Sequence, residues 1–339
     1  MKNILVTGST GYVGSVLMPE LVARFGAPSL GAFAQPGEAI PETWRDAGVA
    51  VFRGDIADRK AVAEACLGRT HVVHLAGLIS YLRRDREALF RVNAEGARIV
   101  VESCLAQGVR RLVHISTVGA IGYRRDGGLA DEETPFNWPE DLVYMTSKYA
   151  GQLAVEKAAR EGGLEAVVLN AASIMGPGDA NPATPQNRLF ARIYRQGLVG
   201  CFAGGLAVVD VRDLAAIILK ALDEGRNGEK YLIVGANLTY QDVVRKIAVR
   251  AGRRVYPFRI PGPVVAAVGG VVERVAEARG KRPLLSRAYG RLSGIKAYYS
   301  NAKSRKDFSH VYRDIDRTIA DGCDDFTSRG PWPWVWPST

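Results

Sequence analysis

The chain of 339 residues, 47 % apolar and 24 % charged, has the makeup of a soluble globular protein of one large or two interlocked domains, long enough to bury a full core. Its net charge of +10 suits an acidic substrate, an anionic membrane surface or nucleic acid, but the cations of the last third are scattered among apolar positions, so no nucleic-acid partner is expected. Four distant cysteines, Cys66, Cys104, Cys201 and Cys323, form no CxxC or Cys/His cluster, which excludes a disulfide framework and leaves no metal site to expect.

The chain enters at once on an apolar strand, MKNILVTG, without a basic head or cleavage site, and a cytoplasmic protein is expected. NILVT, SLGAFA, VAVFR, HVVHLA, RLVHIS and EAVVLN are short, rich in Val, Ile and Leu, and bounded by turn residues, as buried strands are. Helical patterns alternate with them: SVLMPELVARF, ADRKAVAEACL, REALFRVNAEGARIVVESCLAQ and SKYAGQLAVEKAAR. That alternation predicts an α/β, doubly wound parallel sheet over residues 1–172. Pro19, inside the first helical pattern, should remove a hydrogen bond and bend the helix.

After about residue 173 the alternation stops. A loop, MGPGDANPATPQN, precedes a helical LFARIYRQG, and GGLAVVDVRDLAAIILKAL with EKYLIVGA predict two returns to the sheet at about 207–236. The stretches 173–206 and 237–327 then make a smaller, mostly helical, discontinuous substrate domain, and 328–339 a Trp- and Pro-rich tail. The apolar run GPVVAAVGGVV is about half the ~20 residues needed to cross a bilayer. It is expected to cover a substrate pocket in preference to lying on a membrane surface.

Gly8, Gly11 and Gly14 in TGSTGYVG stand between the first strand and the first helix. There glycines let the backbone approach a pyrophosphate at the helix amino terminus. Dinucleotide choice rests on the end of the second strand, where Gln35 and Pro36 carry neither the acid that favours NAD nor the arginine that favours NADP, with Glu38 nearby. In DLVYMTSKYA, Tyr144 and Lys148 are four apart, so on a helix they share one face. His74 and His114 read as packed strand residues, and Asp210 and Asp213 as a helix cap and a helix-start charge.

These motifs in this order resemble the extended short-chain dehydrogenases/reductases, of NAD-dependent epimerase/dehydratase type, and within them the dihydroflavonol-reductase-like, hopanoid-associated epimerase-like and 3β-hydroxysteroid-dehydrogenase-like branch. TGSTGYVG is similar to the family's TGxxGxxG, GDI to its adenine-contacting segment, HLAG to the loop lining the cofactor, VNAEG to the segment with its Asn, HISTVGAIG to the strand with its catalytic hydroxyl, YMTSK to YxxxK, and MGPGD to its GPGD. The resemblance implies a Rossmann fold and an NAD(P)-dependent enzyme. It assigns the cofactor, NAD or NADP, to Gly8, Thr10, Gly11, Tyr12, Val13, Gly14, Gln35, Asp55, Ile56, Leu75, Ala76, Gly77, Asn93 and Ala172, together with Tyr144 and Lys148. It makes Tyr144 the acid/base, Lys148 the cation that stabilises its phenolate and holds the nicotinamide ribose, and Thr117, with Ser116 beside it, the group that orients the substrate oxygen.

Nucleotide-sugar members carry an Arg-Asp pair where this chain has Leu206 and Ala207, and often an Arg where it has Asn170. A sugar diphosphate would be poorly neutralised, which leaves a partly apolar ketone or secondary alcohol as the expected small-molecule substrate. The alternatives are a sugar epimerase or dehydratase with tightly bound NAD, and a degenerate binding subunit. By family analogy a homodimer is expected.

Overall fold

The computed structural model describes residues 2–329 except 182–183, 197–199, 255–257, 282 and 284; most of the expected tail 328–339 lies outside the described residues. Seven short strands, apolar along their length, form one parallel sheet. They are β1 (Ile4–Thr7), β2 (Leu30–Ala34), β3 (Ala50–Arg53), β4 (His71–His74), β5 (Arg111–Thr117), β6 (Glu165–Ala171) and β7 (Lys230–Ile233). Their order is β7-β6-β5-β4-β1-β2-β3. The winding reverses between β1 and β4, and the carboxyl ends of those two strands open the crevice in which such sheets bind ligands.

The principal helices are α1 (Tyr12–Phe25), α2 (Arg59–Cys66), α3 (Gly96–Ala106), α4 (Val143–Glu161), α5 (Pro185–Gln196), α6 (Val211–Glu224), α7 (Tyr240–Arg250), α8 (Gly262–Ala278), α9 (Arg287–Leu292) and α10 (Ile315–Ser328). On one face of the sheet Leu17, Met18 and Leu21 of α1 and Leu214, Ile217 and Ile218 of α6 are buried in one core. On the other, Val62, Ile99, Val100, Cys104 and Val155 of α2, α3 and α4 form a second. Both faces are thus covered, which is why ILVT in β1 is buried at every position. Each such side chain contributes about 2 kcal/mol of transfer free energy. α1 runs unbroken past Pro19 because that residue is exposed, so water can satisfy the carbonyl its missing N–H leaves unpaired.

Of the two expected returns, the one beginning at GGLAVVD differs. Gly205–Asp210 does not join the large sheet; it pairs with Ser173–Met175 and Ala236–Thr239 in a three-stranded sheet of its own. The helix after it, α6, and β7 do return. The small sheet packs with α5, α7 and α10 around Met175, Phe190, Ile193, Val208, Val244, Ile247 and Ile319. α7 is started by a reciprocal cap: Thr239 Oγ1 accepts from Asp242 N at 3.1 Å and Asp242 Oδ2 from Thr239 N at 3.1 Å.

Candidate active site

The β1–α1 turn is shaped by Gly8, whose φ of +68° is open to glycine and whose Cβ, were there one, would stand 2.7 Å from Ala76 N. Strand ends β1 and β4 therefore approach more closely than any side chain would permit. Leu75 N donates to Thr7 O at 3.1 Å and Ala76 N to Thr7 Oγ1 at 3.3 Å, joining the two turns. Gly11 caps α1, Gly14 is buried under the turn, Val13 packs on the core, and the Tyr12 hydroxyl donates to Gly176 O at 2.8 Å.

At the end of β2 the neighbouring loops converge on Glu38, whose Oε2 accepts from Thr10 Oγ1 at 2.6 Å and from Gln35 N at 3.0 Å. Arg53 donates to the carbonyls of Gln35 and Glu38. The carboxylate of Asp55 is engaged by Ala57 N at 2.9 Å and Arg91 at 2.7 Å, while Ile56 is buried. Ala172 sits in the core at the end of β6, its N–H on Ile233 O.

Asn93 is placed by an irregularity. The helical run from Arg86 widens at Phe90–Glu95 into a turn with i→i+5 bonds before α3 begins, a feature common at functional sites. There Asn93 accepts from Leu78 N at 2.8 Å and donates to Leu78 O at 2.9 Å and Ser147 Oγ at 3.0 Å, and Ser147 in turn donates to Tyr144 O. Asn93 therefore clamps the loop after β4 to the catalytic-candidate helix.

α4 opens at Val143, so Tyr144 and Lys148 lie one turn apart, both buried. Lys148 Nζ donates to Ile115 O at 2.9 Å, and a Cβ at Gly77 would stand 3.7 Å from that nitrogen. Burial lowers the Lys148 ammonium to about 8. Tyr144 moves the opposite way from the expected stabilised phenolate. Burial pushes it up to about 12, only the Thr117 hydroxyl lowers it, and the Lys148 ammonium is drawn instead to the Ile115 carbonyl. The phenol is accordingly protonated at neutral pH.

Thr117 Oγ1 accepts from Gly119 N at 3.1 Å, and its carbonyl accepts from Asn170, which also donates to Gln152. Ser116 Oγ is buried with no protein partner. Asp210 caps α6 through Arg212 N at 2.8 Å, and Asp213, in its first turn, accepts from Arg313 N at 2.8 Å.

Beneath this site His74 and His114 stack at 5.1 Å between ring centroids. Desolvation, then the Lys148 charge, lower His74 to about 3 and hold His114 well below its ordinary value. Both are neutral when folded and take up protons on unfolding below about pH 6.5, so their contribution is complete above that value and is lost as pH falls below it, for His74 down to about 3. Each should steepen the acid loss of stability by about 1.4 kcal/mol per pH unit. In denaturant titrations between pH 6 and 4, His114→Phe is expected to remove about that slope; an unchanged slope would refute the assignment.

Sequence reasoning missed the aromatic side of the site. Tyr81 meets Tyr144 edge-on at 5.7 Å and Tyr289 at 5.3 Å; Phe202 meets Tyr289 at 5.5 Å and Tyr240 at 5.3 Å. These rings come from four separate stretches of chain, and no local spacing announces them. Tyr289 belongs to α9, whose Ala288 and Leu292 pack in one apolar cluster with Tyr144, and α8, the run expected to cover a substrate pocket, packs on α9 through Gly262 and Ala266.

The Gly8 turn, the buried Ser9 Oγ without a protein partner and the narrow space at Gly77 fit a dinucleotide at the carboxyl ends of β1 and β4. The fold and the Tyr-Lys pair define a dinucleotide-dependent oxidoreductase of the extended short-chain type. Residues 4–234 match the NAD dependent epimerase/dehydratase family, and the chain belongs to that family; its cofactor is a nicotinamide dinucleotide. It is 29 % identical to sterol demethylase protein B of Methylococcus capsulatus over 92 % of each chain. It is 28 % identical to a putative dihydroflavonol 4-reductase of Synechocystis over 96 % of this chain and 94 % of that one. The crystal structure of gox2253 superimposes with a TM-score of 0.83 at 27 % identity, covering 97 % of this chain and 99 % of the other.

Proposed function

We propose that the protein is a reductase of ketones on predominantly apolar molecules. The observation that carries this reading is the wall of Tyr81, Tyr289 and Phe202 beside Tyr144. Both tyrosines are desolvated by burial, and the wall offers aromatic ring faces with a hydroxyl tip on Tyr81 and on Tyr289. Two relatives, named for a sterol and a dihydroflavonol, point to the same substrate class.

The bound nicotinamide supplies the hydride. The Thr117 and Tyr144 hydroxyls are neighbours, and a substrate carbonyl oxygen set between them would accept from both. Tyr144, protonated up to about 12, gives its proton to that oxygen as negative charge develops. Lys148 holds the ribose hydroxyls and adds positive charge beside the reacting oxygen. Glu38, bound to Thr10 and Gln35 at the end of β2, would oppose the 2′-phosphate of NADP(H), which supports NAD(H) as the preferred cofactor.

The reading extends to a homodimer formed through α3 and α4, supported by Leu105 and Leu153 with 43 % and 39 % of their surface exposed. It includes a substrate side made of 173–206 and 237–327, and a cytoplasmic site of action, which suits four buried free thiols. The test is incubation with NADH or NADPH and a panel of alicyclic and aryl ketones. Cofactor oxidation matched by alcohol formation, with NADH bound more tightly, is expected. NAD retained through purification, no net oxidation, and turnover of a nucleotide sugar would replace this reading with an epimerase or dehydratase.

A further inference from the structure

We infer that α8 is a docking helix for an anionic lipid surface. Its sequence, GPVVAAVGGVVERVAEA, divides into two faces. Gly262, Val265, Ala266 and Gly269 are buried against α9. The approach there is so close that a Cβ on Gly262 would stand 2.8 Å from Gly294 Cα, and one on Gly290 2.5 Å from Ala266 Cα. The hairpin of α8 and α9 is therefore fixed, and one face of α8 is held outward.

On that outward face Val264, Val268, Val271 and Val275 keep 50 %, 51 %, 60 % and 44 % of their surface exposed. Their spacing of four, three and four residues sets them in one row along the helix. Four aligned valines in water form an apolar strip of a kind that isolated surface residues do not. The helix is too short and too broken by charge to cross a bilayer; among the described residues none qualifies.

Charge decides which occupant fits the strip. Between Gly262 and Lys296 the chain carries seven Arg and Lys against two Glu, and one of those glutamates, Glu273, is buried on Arg287 N. Arg274 is exposed on the flank of the row, with Arg279 and Lys281 exposed just beyond the helix end. The stem of Arg287 runs beside Gly270, so cations also flank the strip from α9. Arg84 donates to Lys281 O at 3.2 Å and brings the run Arg83, Arg84 and Arg86 to the same end. An apolar row rimmed by arginine is the pattern of a helix lying in the headgroup region of a negatively charged leaflet. A second copy of the chain would set the same cations against each other.

The surface stands independently of the proposed reduction, because vesicle binding is read without substrate. The experiment is co-sedimentation of the full chain with vesicles of phosphatidylcholine alone and of equimolar phosphatidylcholine and phosphatidylglycerol. Binding to the anionic vesicles is expected, with at least about tenfold weaker binding to the neutral ones and for the double variant Val268→Asp, Val271→Asp. Arg274→Glu with Arg279→Glu should lose about as much, and both variants should bind NADH as the parent does, since every altered side chain is exposed. Protein left in the supernatant with anionic vesicles overturns the proposal. So does sedimentation unaffected by the four substitutions, or a valine variant whose only change is a smaller assembly in solution, which would make the strip a contact between copies.

Discussion

Lys148→Met should stabilise the protein while disabling it. The ammonium is buried and falls to about 8 from 10.5. A cation whose folded value lies below its unfolded one carries its penalty in full below pH 8 and is relieved between pH 8 and 10.5. The shift corresponds to about 3 kcal/mol. Methionine removes that penalty but leaves the Ile115 carbonyl without its donor, at about 1 kcal/mol. A net gain of about 2 kcal/mol at pH 7, vanishing just below about pH 10 and turning into a loss of up to about 1 kcal/mol above it, is expected in denaturant unfolding of the cofactor-free protein. The same change should lower kcat/KM by about 10³-fold, since charge beside the reacting oxygen and the hold on the ribose are both lost. A variant less stable than its parent at pH 7 would show that the lysine is not strained by burial. In the parent, kcat/KM for the cofactor should fall as pH rises through about 8, where Lys148 loses its charge, and not near 12, where Tyr144 would.

Tyr144→Phe should leave the frame intact and remove the proton. Its hydroxyl is bonded to Thr117, and its ring packs against Tyr81 at 5.7 Å. Phenylalanine keeps the ring contact, so stability is expected within about 1 kcal/mol of the parent. Reduction should slow by about 10³-fold, in line with loss of a general acid. Fluorescence titration with NADH should give a dissociation constant within about twofold of the parent. That combination separates chemistry from binding. Turnover near the parental rate would transfer the proton to another group and would dismiss the proposed mechanism.

What could be read from the residues was whatever is written locally. ILVT, HVVH and RLVHIST are strands because runs of branched apolar residues between turns have one comfortable fate in a sheet covered on both sides. Tyr144 and Lys148 share a face because they lie on one helix, four apart. The Gly8 turn was legible for the same reason. Other features needed the whole chain. GLAVVD has the composition of a large-sheet strand, yet pairs parallel with Ser173–Met175 and antiparallel with Ala236–Thr239, and nothing within it distinguishes one neighbour from another. The apolar run of α8 has the composition of a pocket cover. That it packs on α9, Gly262 against Gly294 and Ala266 against Gly290, is a fact about two segments together. The rise of Tyr144 comes from its burial, and the Ile115 carbonyl that takes the lysine amine is a neighbour only in three dimensions.

The wide turn at Phe90–Glu95 makes the site sensitive to chain length. An i→i+5 turn holds one residue more than an ordinary helix needs, and each residue of an ordinary helix turns the next by about 100°. Asn93 reaches both the Leu78 backbone and Ser147 only with that surplus residue in place. Losing a single residue there would swing the amide out of its groove and release the loop from the helix, although every side chain named in the chemistry would still be present. Homologues can therefore be sorted by counting residues between the end of β4 and the start of α3, before any active-site position is compared.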